Sequence, residues 1–215
     1  MRKTFLFTAF LIIANTLYSA NIEDILVKME EADSKVTDLS FSFKQEILIT
    51  LTQETSIING TAIFKKPDLF KIEHIKPEKQ TVVSDGNKVF FYQQEFNQVM
   101  IEDWKSLSEK GSFPKGIFNF ASAVSDLKKN YDISLLDEQE KFFIVLLKLK
   151  AKQQQDIKIK LWVSRENYMV EKTAIETENV ISTVAISDIK INKKVKDSVF
   201  KFKIPKNAQI ITSPF

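Results

Sequence analysis

Catalytic chemistry has few places to reside in this chain. Among 215 residues there is one histidine, His74, and no cysteine. A Ser-His-Asp device would have to use His74 as its base. Thiolate nucleophiles and cysteine-built metal sites are excluded outright, and a lone histidine does not make a metal centre. Paired carboxylates occur at Glu30-Glu31 and at Glu138 and Glu140, where general acid–base work would need them. The first pair falls on the polar face of a predicted helix and the second in a polar turn, so both read as solvated charge. No G-x-S-x-G elbow and no glycine-rich phosphate loop is present. The expectation is a protein with no catalytic residues, no metal and no cofactor.

The apolar residues carry more information. Phenylalanine occurs 18 times and glycine only 4 times. So many large rings require a substantial core or cavity to house them. Lys and Arg total 31 against 28 Asp and Glu, and the two signs are interspersed. No basic stripe of the kind that nucleic acids demand is present.

The first twenty residues have the layout of an export signal. Arg2 and Lys3 precede the apolar run Phe5–Ala14, and the stretch ends at Ala20. This ten-residue run, apolar except for Thr8, is half of what a membrane-spanning helix needs. The reading is a signal peptide over 1–20 and an exported domain over 21–215, with no disulfide and no lipid-bearing cysteine. Without Arg2 and Lys3 the formal charge falls from +3 to +1.

Apolar spacings of three and four predict a helix over 22–36, with Ile22, Ile25, Leu26, Met29, Ala32 and Val36 on one side. After Asp38 the period changes to two. Leu39, Phe41 and Phe43 share one side of a strand; Ala62, Phe64 and Lys66 share one side of the next. Further strands are predicted over 69–75, 80–84, 88–92, 97–102, 131–136, 142–151, 157–164, 169–177, 180–191 and 198–204. Asp85-Gly86 marks a hairpin. Residues 103–130 break the pattern and predict one or two short helices. About ten or eleven antiparallel strands and two helical segments make one mainly β domain, in which a curled sheet needs a cover for its concave face.

The order of motifs from 39 to 101 is specific: LSFSFKQ at 39–45, G-x-x-x-F-K-K-P-x-L-F at 60–70, VVSDG at 82–86, FFY at 90–92 and NQV at 97–99. With the leader and the late Phe200, Phe202 and Pro205, this resembles the outer-membrane lipoprotein carrier family, LolA. The resemblance implies an incomplete antiparallel β-barrel whose hydrophobic cavity is closed by short helices. It implies periplasmic transfer of acylated lipoproteins from the inner-membrane Lol ABC transporter to an outer-membrane acceptor where one is present, by a monomer with no enzymatic step. Lys66 stands where the family has an arginine that faces the cavity and bonds lid carbonyls, which makes it the candidate lid latch. Phe70 matches a functional family phenylalanine. With pleat alternation, Phe41, Phe43, Phe64, Phe70, Ile72 and Phe90 are the candidate lipid-binding residues, and Phe118 and Phe120 the candidate lid residues. Two other readings fit the residues: a related half-barrel that binds or senses free lipid or glycolipid, and a β adaptor domain with a filled core.

Overall fold

A computed structural model describes residues 20–109, 127–150 and 157–212. The first element among the described residues is helix α1, Ile22–Ser34. Its start is set by Asn21, whose side chain accepts a hydrogen bond from the Glu23 N–H, and by Glu23 and Asp24 in the first turn. Both features favour the positive end of a helix. Ile25, Leu26 and Met29 are each only 2% exposed and form its buried stripe.

Twelve strands among the described residues form one sheet. They are β1 Asp38–Ile49, β2 Glu54–Lys65, β3 Leu69–Lys76, β4 Gln80–Asp85, β5 Lys88–Gln93, β6 Gln98–Asp103, β7 Tyr131–Glu138, β8 Phe142–Leu149, β9 Lys158–Ser164, β10 Val170–Glu176, β11 Val180–Ile191 and β12 Gln209–Thr212. The order across the sheet is β12-β6-β5-β4-β3-β2-β1-β11-β10-β9-β8-β7, so among the described residues β7 and β12 are the two edges and the barrel stays open. The long strands β1 and β11 pair antiparallel in the middle and join the two meanders. Every pairing among the described residues is antiparallel except β12 with β6, which is parallel. Helix α2, Trp104–Glu109, follows β6.

Alternation along the strands sorts side chains onto two faces. On the concave face, α1 packs Ile25, Leu26 and Met29 onto Phe143, Val145 and Leu147 of β8 and Leu161 and Val163 of β9. Each fully buried apolar side chain there contributes about 1.5–3 kcal/mol. A second concave cluster gathers Ala62, Phe64, Phe70, Val82 and Val89 under Leu107 of α2.

The convex face is covered differently from the sequence-based expectation. Residues 198–204 form no strand. Asp197–Phe200 is a short 3-10 helix, and the chain then crosses behind the sheet to reach β12. Phe200 is 1% exposed, and Phe202 stacks on Phe90 with ring centroids 5.3 Å apart. The Phe-Lys-Phe alternation is thus met by rings lying against a sheet, not by strand pairing. This corrects the placement of Phe90. Its neighbours Val89 and Phe91 belong to the concave cluster. Pleating turns Phe90 to the other side, away from any cavity under α1.

Candidate functional site

Between the two concave clusters lies a cavity of about 280 Å³. Its floor is the middle of the sheet. Leu39, Phe41 and Phe43 of β1 stand in cross-strand register with Phe64, Ala62 and Gly60 of β2. Ala62 and Phe64 are in turn opposite Ile72 and Phe70 of β3. On the other side the floor continues through Val184 and Ile186 of β11 and Thr173 and Ile175 of β10, while Met29 of α1 closes it from above.

Four of the six candidate lipid-binding residues, Phe41, Phe43, Phe64 and Ile72, line this cavity. Phe41 and Phe64 stack at 5.8 Å, and Phe64 meets Phe70 at 6.1 Å. Phe70 is 3% exposed and sits one layer back, wedged between Phe64 and Trp104 of α2. It supports the lining and does not form it. Phe90 lies on the opposite face, as described above. Phe118 and Phe120 lie outside the described residues.

The Phe43 ring has an unusual seat. Gly60 faces it, and a Cβ built on Gly60 would come within 2.4 Å of the ring and 2.3 Å of the Glu73 carbonyl oxygen. Only glycine leaves room for the ring at this position. The same row ends in His74, whose ring meets Phe43 edge-on at 5.8 Å. Burial in this apolar wall lowers the His74 pKa below the ordinary imidazole value. The neutral form is therefore the one that faces the cavity at neutral pH.

Lys66 also lines the cavity, just past the end of β2. Its Nζ donates to the Asp33 carbonyl oxygen at 2.6 Å and to Asp33 Oδ2 at 2.7 Å. It thereby holds the last turn of α1, where unpaired carbonyls and the negative end of the helix dipole favour a cation. The side chains of Lys66 and Asp33 are 30% and 13% exposed, so the pair is shielded without being sealed. Behind it, Asp38 is 4% exposed and accepts from the backbone N–H groups of Lys193 and Lys194 at 2.8 and 3.1 Å. Asn192 accepts from the Thr37 N–H at 2.7 Å and donates to the Lys35 carbonyl at 2.8 Å. These bonds fix the turn between α1 and β1 against the end of β11. The helix C-terminus is thus tied on two sides.

A family model for the outer membrane lipoprotein carrier protein LolA matches residues 34–203. The chain belongs to the LolA family. An outer-membrane lipoprotein carrier protein of Francisella philomiragia is 27% identical over 214 residues, 98% of each chain. Its counterpart in Pseudomonas putida is 29% identical over 163 residues, which covers 75% of this chain and 74% of that one. The crystal structure of an uncharacterized conserved protein from Thermus thermophilus shares the fold, with a TM-score of 0.59 at 14% identity over 89% of this chain and 98% of that one. The open, mainly β architecture with few helices is thus a LolA-type fold, here with twelve strands among the described residues.

Several residues of this cavity were not singled out from the sequence. Met29 carried a signal, since it belongs to the apolar stripe of the predicted helix. Thr173, Ile175, Val184 and Ile186 recur at every second position, as a cavity wall should. Asp33, the partner of Lys66, carried none, because a carboxylate near a helix end is ordinary surface chemistry until the fold brings a lysine to it.

Proposed function

We propose that this LolA-family chain is a periplasmic carrier. It takes acylated lipoproteins released from the inner membrane, through the Lol ABC transporter, and delivers them to the outer membrane, to an acceptor where one exists. Residues 1–20 direct export, and 21–215 form the carrier domain. The acyl chains lie on Phe41, Phe43, Phe64 and Ile72, under α1. The carrier makes and breaks no bond.

The observation that supports this most is an apolar hollow in a region where packing would otherwise be solid. Exposing a sixteen-carbon chain to water costs about 12 kcal/mol at ~0.8 kcal/mol per methylene. A wall of aromatic and aliphatic side chains offsets that without specific hydrogen bonds, and stiff rings keep the hollow from collapsing. At about 280 Å³ the cavity lies near the lower end of the ~300–1,000 Å³ typical of ligand pockets. Loading more than one chain therefore requires α1 to move away from the sheet, and the Lys66–Asp33 tie is the contact that must yield.

The test is release from washed spheroplasts that contain a labelled lipoprotein. Adding the purified protein is expected to bring the lipoprotein into the supernatant as a soluble one-to-one complex. Release no greater than in buffer, with the protein bare or carrying only free lipid, would overturn the carrier reading.

A further inference from the structure

The cavity wall is not uniformly apolar: Asp33, Thr37, Asp38 and Lys66 line one end, and Gln45, Ser182, Thr173 and His74 the other. Along β1 the inward residues run Leu39, Phe41, Phe43 and then Gln45. Six residues of strand separate Leu39 from Gln45, roughly 20 Å. The Leu39 end is closed by the Lys66–Asp33 tie. At the other end, Gln45 Nε2 donates to Ser182 Oγ at 2.9 Å across the β1–β11 pair. Thr173 lines the same level from β10, opposite Val184, which is itself opposite Gln45. His74 lines the cavity one row below, from β3.

Each of these groups has hydrogen-bonding capacity left over. Ser182 accepts from Gln45 and keeps its own O–H to donate. The Gln45 amide has a second N–H. Neither the Thr173 hydroxyl nor the His74 ring has a hydrogen-bond partner among the described residues. All four residues are partly buried, so water reaches them in the empty cavity and a bound lipid that displaces it must offer acceptors in its place. A plain hydrocarbon cannot satisfy them.

Resting on the carrier reading, we infer that Gln45 and Ser182, flanked by Thr173 and His74, form a carbonyl-binding subsite for the ester linkages of a bound acyl lipid. The tails run from this belt toward Leu39 over Phe41, Phe43 and Phe64. The ester carbonyls stop at the belt because its donors have capacity left over, whereas the Lys66 ammonium at the deep end is engaged by Asp33. The ligand class is therefore fatty-acyl esters, and the position of the ester sets how far the tails enter. Glyceryl esters occur both on lipoproteins and on membrane phospholipids, and the subsite reads the chemistry that they share.

Ester and ether lipids of equal chain length separate this from plain apolar binding, because an ether lacks the carbonyl. The probes are a short peptide bearing a glyceryl group with two ester-linked chains, the same peptide with two ether-linked chains, and a diester phospholipid of matched length. The wild-type protein is expected to bind the diester peptide about tenfold more tightly than the diether peptide, the size of one or two net hydrogen bonds. In Ser182→Ala and Gln45→Met that ratio is expected to fall to about one. Equal wild-type affinities for ester and ether, or a ratio that survives both substitutions, overturns the subsite. Binding of the diester phospholipid that is weakened about tenfold by both substitutions, with binding of neither peptide, keeps the subsite and overturns the lipoprotein as its source. Binding of none of the three probes overturns the carrier reading together with the subsite.

Discussion

Gly60→Val is expected to melt about 10 °C below the wild-type protein, from roughly 3 kcal/mol of overpacking at 2–4 °C per kcal/mol for a chain of this size. The reason is geometric. The new Cβ would stand 2.3 Å from a backbone carbonyl of β3 and 2.4 Å from the Phe43 ring. The ring can rotate away, but the carbonyl belongs to the β2–β3 ladder and cannot move without opening the sheet beside its existing register shift. A displaced Phe43 ring also enters the cavity, so cargo capture falls with stability. Gly60→Ala in a Phe43→Leu background relieves only the ring clash, and its recovery is expected to be partial. The two effects are therefore coupled and not additive. Thermal melts followed by circular dichroism check this. A Gly60→Val protein that melts within about 2 °C of the wild type, less than 1 kcal/mol by the same conversion, contradicts the packing described here.

Lys66→Glu is expected to free the C-terminal turn of α1 while the protein stays folded. The substitution places a carboxylate against the Asp33 carboxylate and carbonyl oxygen that Lys66 now holds at 2.7 and 2.6 Å. Breaking a buried ion pair costs about 3–5 kcal/mol, and partial exposure of this one reduces that to roughly 2 kcal/mol. Ile25, Leu26 and Met29 stay embedded in the cluster with β8 and β9, so the helix swings at its far end and does not detach. Binding of an apolar fluorescent dye should rise several-fold, and cargo should be retained more tightly at the expense of transfer to an acceptor. Lys66→Leu is expected to lie between, since it removes the tie without adding repulsion. Lys66→Arg, with its wider fork of donors, should retain closure. Dye binding, release and transfer that are unchanged in both Lys66→Glu and Lys66→Leu would show that the tie does not control access.

Much of this was legible because strands write their faces in alternate residues. Leu39, Phe41 and Phe43, and Ala62 and Phe64, declared a shared apolar face, and the register then placed them side by side. Asp85-Gly86 declared its hairpin because Gly86 adopts φ +91°. Phe90 was misplaced because KVFFY puts two rings in adjacent positions, and sequence alone does not say which of them faces inward when both faces are covered. What covers the outer face is the segment with Phe200 and Phe202, itself read as a strand from a local alternation. The β1–β2 hairpin extends further than its sequence suggests. Its turn uses Gln53 at φ 58° with no glycine or proline to announce it, and Ile47, Leu48 and Ile49 are consecutive and show no period. Strand β12 is only four residues long and follows Pro205, too short to leave a pattern. The ties at Lys66 and Asp38 join residues far apart in the chain, and spacing rules see only neighbours.

The two faces of β1–β5 allow a direct trial of where cargo lies. A photoreactive phenylalanine analogue replaces Phe43, which lines the cavity, or Phe90, which lies against Phe202 behind the sheet. Each protein is loaded with a lipoprotein whose acyl chains carry an isotopic label, then irradiated. Label attached covalently at position 43 and absent at position 90 is the outcome required of a carrier that holds its cargo beneath α1. Label at 90 and not at 43, or at neither while cargo remains bound, would place the acyl chains somewhere else and remove the basis for the proposal.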